Sequence, residues 1–275
     1  MKAHQHSIVD NLMAAYRAAR HLILLFDYDG TLVPIVDHPR LAKLDRPGRR
    51  LLERLAGKPR LHVGIISGRQ LDELKEMLCL SALCFAGTGG LELDLEGTRL
   101  VHPGARHVHD SVRDLARQLS GRLEAFPGAW LEDKGLGLTV HYRHAPQQLI
   151  ADLRTQLRET LEPFSPAFHW NDGPMALEIT PDLGWDKGTA VSTIVHYLRP
   201  ASYALLYAGD SANDAQALRT AAILGGIGIG IGPDAPRVAQ YSLPDTDALH
   251  GLLSELERRL SLVTRGPVCA PSRGR

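Results

Sequence analysis

Short unbroken apolar runs alternate along this chain with longer stretches whose apolar residues recur at helical spacing. Residues 22–26, 61–66 and 204–208 are such runs. An apolar run without alternation belongs to a parallel strand covered on both faces. Helical patterns follow at 47–56, 70–78 and 213–222. The two patterns together predict an α/β fold, a Rossmann-like parallel sheet with crossover helices and an N-terminal helix. Between 103 and 181 the order changes to helix, two strands, helix, two strands. The helices are expected at 108–125 and 146–161, and the strands at 129–134, 136–143, 167–171 and 175–180. Lys134-Gly135 and Asp172-Gly173 supply the two tight turns.

The predicted organisation is a parallel-sheet core built from 1–102 and 182–262, interrupted by an α+β cap at 103–181. Residues 263–275, including Arg265, Gly266, Pro267 and Pro271, have no periodicity and are expected to form a disordered tail.

Composition narrows the function classes. The chain has 275 residues, 44% of them hydrophobic, enough for a sizeable core. Lys+Arg and Asp+Glu both total 31, so no basic excess exists to grip a nucleic-acid backbone. No apolar run reaches the roughly 20 residues that cross a bilayer, and no charged-then-apolar export segment opens the chain. Cys79, Cys84 and Cys269 form no metal-type spacing and read as separate reduced thiols. A cytoplasmic protein without nucleic-acid or membrane partners is expected.

In open parallel sheets, ligands bind beyond the carboxyl ends of the strands. After the first apolar run comes Asp27-Tyr28-Asp29-Gly30-Thr31, where alternate residues can aim two carboxylates into one crevice. After the second comes Ser67-Gly68-Arg69, and after the third Gly209-Asp210, then Asn213-Asp214. Lys187 opens a predicted helix just upstream of the third run. Each piece alone is common in loops, and Lys187 alone would read as a surface lysine. All four in order make a site for phosphoryl transfer from a monoester. Asp27 is the expected nucleophile, forming an aspartyl-phosphate, and Asp29 the acid and base. Clustered carboxylates repel each other unless a hard cation sits among them, which points to Mg²⁺. Ser67, Thr31 and Lys187 are expected to hold phosphate oxygens, with Gly68 and Arg69 also lining the substrate site. Asp214 either orients Lys187 or orders waters of the metal.

These four segments, DYDGT at 27–31, SGR at 67–69, DKG at 186–188 and GDSAND at 209–214, resemble the motifs of the haloacid dehalogenase superfamily. The resemblance implies its core with an inserted cap, makes Asp27 the nucleophile and Asp29 the acid and base, and implies that Asp210 completes a Mg²⁺ site with Asp27 and Asp29. At 27–35, 85–93, 131–146 and 177–191 the chain is similar to trehalose-6-phosphate phosphatases. That likeness implies hydrolysis of trehalose 6-phosphate, with Glu132, Lys134 and Glu178 hydrogen-bonding the sugar and Arg143 a further contact. It also raises a functional pairing with a trehalose-6-phosphate synthase, which the sequence leaves open. From spacing alone, Glu132, Lys134 and Arg143 would be a solvated cross-strand charge set. The chain departs from the family pattern at Gly89, at Thr180, and at Ser211, Asn213 and Ala215 in the fourth motif. Two competing readings are a phosphatase for another glycosyl phosphate, such as glucosyl- or mannosyl-3-phosphoglycerate, and a silent sugar-phosphate sensor.

The glycines of 225–232 give neither nucleotide-loop spacing, and a glycine-rich strand and turn is expected there. His102, His107 and His109 read as surface histidines, and Trp130, Trp170 and Trp185 as core or hinge packing.

Overall fold

The computed structural model describes residues 2–165, 167–173 and 175–264. Helix α1 (Lys2–Arg17) leads into strand β1 (His21–Phe26), helix α2 (Arg46–Ala56), β2 (Leu61–Ile66) and α3 (Leu71–Leu78). Three short strands follow: β3 (Cys84–Gly87), β4 (Glu92–Leu95) and β5 (Thr98–Val101). The middle of the chain holds α4 (Ala105–Leu123), β6 (Trp130–Asp133), β7 (Leu138–His141), α5 (Ile150–Leu161), β8 (Phe168–Gly173) and β9 (Ala176–Pro181). It then returns through α6 (Lys187–Leu198), β10 (Tyr203–Gly209), α7 (Ala215–Ile223), β11 (Ile227–Ile231), β12 (Tyr241–Leu243) and α8 (Thr246–Thr264).

The large sheet has the order β12-β11-β10-β1-β2-β3-β4-β5. Every pairing from β12 to β3 is parallel, while β4 and β5 close the far edge as an antiparallel hairpin. Strand β1 is buried throughout, and its residues alternate between two packed layers. Leu22, Leu24 and Phe26 face the layer of α1, α2, α3 and α8, whereas Ile23 and Leu25 face that of α6 and α7. This two-sided burial is why the run carries no polar residue.

The helices begin where the sequence supplies caps. Asp45 accepts from the Gly48 amide at 2.7 Å at the start of α2, and Asp186 from the Thr189 amide at 2.9 Å at the start of α6.

The second sheet is antiparallel, with order β6-β7-β9-β8. One face is apolar: Leu138, Val140, Leu177 and Ile179 pack against Val112, Leu115 and Leu119 of α4 and Leu153 and Leu157 of α5. The two hairpins differ from the expected turns. Residues 134–137 form a wider loop closed by the Lys134 amide on the Gly137 carbonyl at 2.9 Å. Asp172 and Gly173 remain in the ladder, Gly173 opposite Ala176, and Met175 takes the left-handed conformation at φ 62°.

The sequence expectation missed the β3–β5 edge, whose strands of 4 residues are too short for a clear period. The expected tail lies outside the described residues from 265 onward, as does Cys269. Cys79 and Cys84 are free thiols. No helix among the described residues is long and apolar enough to cross a membrane.

Trp170 and Trp185 are half-buried against the apolar layers, as expected, and His102 meets Trp185 edge-on at 4.7 Å instead of lying free on the surface.

Ile23→Ala, in the fully buried centre of the large sheet, is expected to cost about 2–5 kcal/mol in denaturant unfolding. Leu41→Ala, at a side chain 67% exposed, is expected to stay within about 0.5 kcal/mol.

Candidate active site

The carboxyl ends of β1, β2 and β10 converge on one edge of the large sheet, and the polar face of the small sheet lies across it. Between them is a cavity of about 520 Å³, lined by Asp27, Asp29, Ser67, Arg69, Lys187 and Asp210 from below. Trp130, Glu132, Lys134, Thr139, His141, Arg143 and Glu178 line it from above. Parallel strands align their carboxyl ends, so residues distant in sequence meet there.

At the floor is a buried ion cluster. Lys187, 4% exposed, donates its three ammonium hydrogens to Asp27 Oδ1 (2.7 Å), Asp214 Oδ1 (2.8 Å) and Asn213 Oδ1 (2.9 Å). Burial pushes the Lys187 pKa down, but the charges of Asp214 and Asp27 outweigh it, and the pKa stands above the ordinary lysine value. Asp214 is fully buried and saturated. Its Oδ1 also accepts from the Tyr207 hydroxyl at 2.6 Å, and its Oδ2 from the amides of Asp210 and Ser211, each at 3.1 Å.

Asp27, Asp210 and Asp214 each bring one carboxylate oxygen within 4.8 Å of the others. Burial, with the neighbouring carboxylates, holds Asp27 well above the usual carboxylate range despite Lys187. Burial and the charge of Asp214 push Asp210 up to about 7. Burial that disfavours further negative charge on two neighbouring carboxylates makes a site where a divalent cation can supply the missing positive charge. The saturation of Asp214 leaves Asp27 and Asp210 as the oxygens open to such an ion.

Asp29 stands apart from this cluster. Both of its carboxylate oxygens accept from the Arg69 guanidinium, at 2.7 and 2.8 Å. The third carboxylate of the acidic group is therefore Asp214, and the Asp29 side chain, expected among the metal ligands, is turned to Arg69. Arg69 also reaches Glu73 (3.1 Å) and the Pro39 carbonyl (2.7 Å), so its fork is taken up by protein groups. Ser67 is buried with its hydroxyl accepting from the Arg69 amide at 3.2 Å. Thr31 is fully buried, does not line the cavity, and its hydroxyl has no partner among the described residues. Gly30 has φ +80°, and a Cβ there would overlap the Asp210 carboxylate.

Above, register lines up Glu132, Thr139 and Glu178 side by side across β6, β7 and β9, with Asn171 of β8 opposite Glu178. Glu132 pairs with His141 Nε2 at 2.7 Å, and Lys134 lies 3.7 Å from Glu178. Burial raises the pKa of both glutamates, but it is overcome: His141 and Lys134 draw Glu132 below its usual range, and the charges of Lys134 and Lys187 with the Asn213 hydrogen bond do so for Glu178. Glu178 presses on Gly68, where a Cβ would come within 2.8 Å of its carboxylate. Arg143 is exposed at the rim.

Trp130 is a correction to the sequence reading. It stacks on His141 (4.2 Å, 17°) and on His38 of the lower side (5.2 Å, 6°), lining the cavity where core or hinge packing was expected. Sequence reasoning also missed Thr139, whose buried hydroxyl has no partner among the described residues. Period-two alternation groups Thr139 with His141 on one face, but only the strand register sets them beside Glu132 and Glu178.

The chain shares its fold with a solved protein described as a haloacid dehalogenase-like hydrolase. A structure of that description from Bacteroides thetaiotaomicron covers 87% of this chain and 100% of its own, with TM-score 0.59 and 15% identity. The family model for trehalose-phosphatase matches residues 25–238, so the chain belongs to the trehalose-phosphatase family. A trehalose-phosphate phosphatase of Mycobacterium avium (strain 104) is 32% identical over 204 residues, 73% of this chain and 51% of the relative. The chain thus spans about half the length of the curated relatives it matches. The C-terminal domain of Candida albicans trehalose-6-phosphate phosphatase superposes with TM-score 0.78 at 22% identity, covering 91% of this chain and 96% of that one.

The raised Asp210 fixes a sign for stability. Without a divalent cation the folded state keeps this proton up to about pH 7, whereas the unfolded chain releases it in the usual carboxylate range. That contribution is full below the unfolded value and is lost as pH rises through about 7. The melting temperature in EDTA is expected to fall from pH 5 to pH 8. An added divalent cation is expected to raise it more at pH 8 than at pH 5, and equal shifts would contradict the site.

Proposed function

We propose that the chain hydrolyses trehalose 6-phosphate to trehalose and inorganic phosphate, through a phosphorylated Asp27 and with Mg²⁺ as cofactor. The observation that carries the reading is the buried Asp27–Lys187 pair, 2.7 Å apart, beneath a row of side chains suited to a polyhydroxyl ligand. Membership of the trehalose-phosphatase family supports the choice of sugar.

The phosphate oxygens bind to Lys187 and Ser67. An Asp27 oxygen attacks phosphorus as the bond from phosphorus to the sugar oxygen breaks, and Asp29 gives its proton to the departing oxygen. Arg69 then stabilises the carboxylate that Asp29 becomes. In the second half, Asp29 takes a proton from a water whose oxygen attacks phosphorus. The bond to Asp27 breaks, and phosphate leaves with Asp27 restored. Held by Asp27 and Asp210, Mg²⁺ would offset the negative charge that nucleophile and phosphate bring together. Lys187 alone cannot, because Asp214 already takes much of its charge.

The sugar half is read by Glu132, Lys134 and Glu178. An uncharged disaccharide is selected by fixed donors and acceptors that stay unpaired with the wrong sugar. Arg143 at the rim meets the outer ring. Glu132, Lys134 and Glu178 already engage His141 or one another, so they are preset, and binding exchanges one hydrogen bond for another.

Phosphate release from trehalose 6-phosphate is expected to exceed that from glucose 6-phosphate, sucrose 6-phosphate and glucosyl-3-phosphoglycerate by tenfold or more, and to cease in excess EDTA. Greater activity on one of the others would retain the chemistry and change the sugar. Asp27→Asn is expected to lower kcat by on the order of 10³-fold or more, and wild-type turnover in that variant would overturn the nucleophile.

A further inference from the structure

We infer that Asn213 is a positioning residue that couples recognition of the sugar to placement of the phosphate. The inference rests on the reading of the site just given and deepens it. Asn213 stands in the turn after β10, at one of the positions where the chain departs from the family pattern. Its Nδ2 donates to Glu178 Oε2 at 3.1 Å, and its Oδ1 accepts from Lys187 Nζ at 2.9 Å. An ammonium only donates and a carboxylate only accepts, so the amide can face these two neighbours in one orientation alone. The Ser211 hydroxyl, 2.9 Å from Oδ1, holds the same orientation. One side chain thus ties the upper sheet's Glu178 to the Lys187 of the floor.

Hydrogen-bond valence turns this tie into a coupling. All three hydrogens of the Lys187 ammonium are engaged, two by carboxylates and one by the Asn213 amide. A phosphate oxygen that binds Lys187 must displace one of them. Bonds to charged acceptors are roughly twice as strong as neutral ones, so the amide is the partner that yields. A sugar hydroxyl that engages Glu178 likewise displaces Asn213 Nδ2. Each half of the substrate takes one end of the amide, and releasing either end weakens the hold on the other. Sugar and phosphate therefore favour each other's binding, and a phosphate ester lacking the sugar gains only half of the exchange.

The test compares kcat/KM for trehalose 6-phosphate and for phenyl phosphate in the wild type, Asn213→Ala, Glu178→Ala and the double variant. Each single change is expected to lower the ratio of the two values about tenfold, and the double variant to lower it about tenfold in total, not a hundredfold, because both break one link. Asn213→Asp keeps the size and the acceptor for Lys187 but sets a carboxylate against Glu178. It is expected to lower the ratio at least as far, which keeps the test sound if the alanine variant does not fold. A hundredfold loss in the double variant, or an unchanged ratio in Asn213→Asp, overturns the coupling. If the wild type prefers another sugar phosphate, the sugar assignment fails, and the same cycle is read on the preferred substrate. Should it release phosphate from neither compound, the proposed function falls and the coupling with it.

Discussion

The ammonium of Lys187, buried to 4% exposure among Asp27, Asp214 and Asn213, is the interaction on which the rest of this site depends. Removing an ion pair's partner from a buried setting leaves an uncompensated charge, at a typical cost of about 3–5 kcal/mol. The surrounding structure is arranged so that no charge there is left alone. Asp214 takes four further hydrogen-bonding contacts from Tyr207, Ser211 and two backbone amides. Asp186 caps the helix that presents Lys187, which fixes the lysine at the first helical position. Two strand ends and one helix start are thereby locked to one another.

That arrangement leaves the acidic side of the cluster unbalanced. Lys187 pairs with both Asp27 and Asp214, while Asp210 makes no ion pair among the described residues and feels Lys187 only from a distance. The raised pKa values of Asp27 and Asp210 follow from burial first and from the neighbouring carboxylates after it, against the pull of Lys187. A site short of positive charge is matched to a ligand set that brings some. Asp29 avoids the shortage through its own counter-ion, Arg69, which Tyr28 and Glu73 also flank. The two aspartates of one short motif thus live in opposite electrostatic surroundings, which equips them for different work.

The small sheet contributes polarity of another kind. Its strands are apolar on the helix side and bear Glu132, Thr139 and Glu178 on the other. Three contacts hold that face over the floor: Glu178 on Asn213, Glu178 against Gly68, and Trp130 on His38. Gly68 matters through its lack of a side chain, because any Cβ would push the Glu178 carboxylate away. A serine-glycine-arginine turn so close to a carboxylate belongs to the geometry of the cavity.

Much of this was legible in the sequence. Apolar runs without alternation predicted strands covered on both faces, and the residues after them, Asp27, Ser67 and Asp210, were found by the rule that parallel strands present their carboxyl ends together. Local chemistry sufficed there because each side chain's direction follows from its place at a strand end. What the tertiary structure alone decided is which charges meet. Asp29 belongs with Arg69, and Asp214 with Lys187, Tyr207 and two amides. Trp130 left the expected core or hinge for the cavity, and Asn213 became a bridge between two sheets. The physical reason is range. Periodicity and turn chemistry act over a few residues, whereas the partners of a buried charge are set by packing between segments up to 160 positions apart, as Asp27 and Lys187 are.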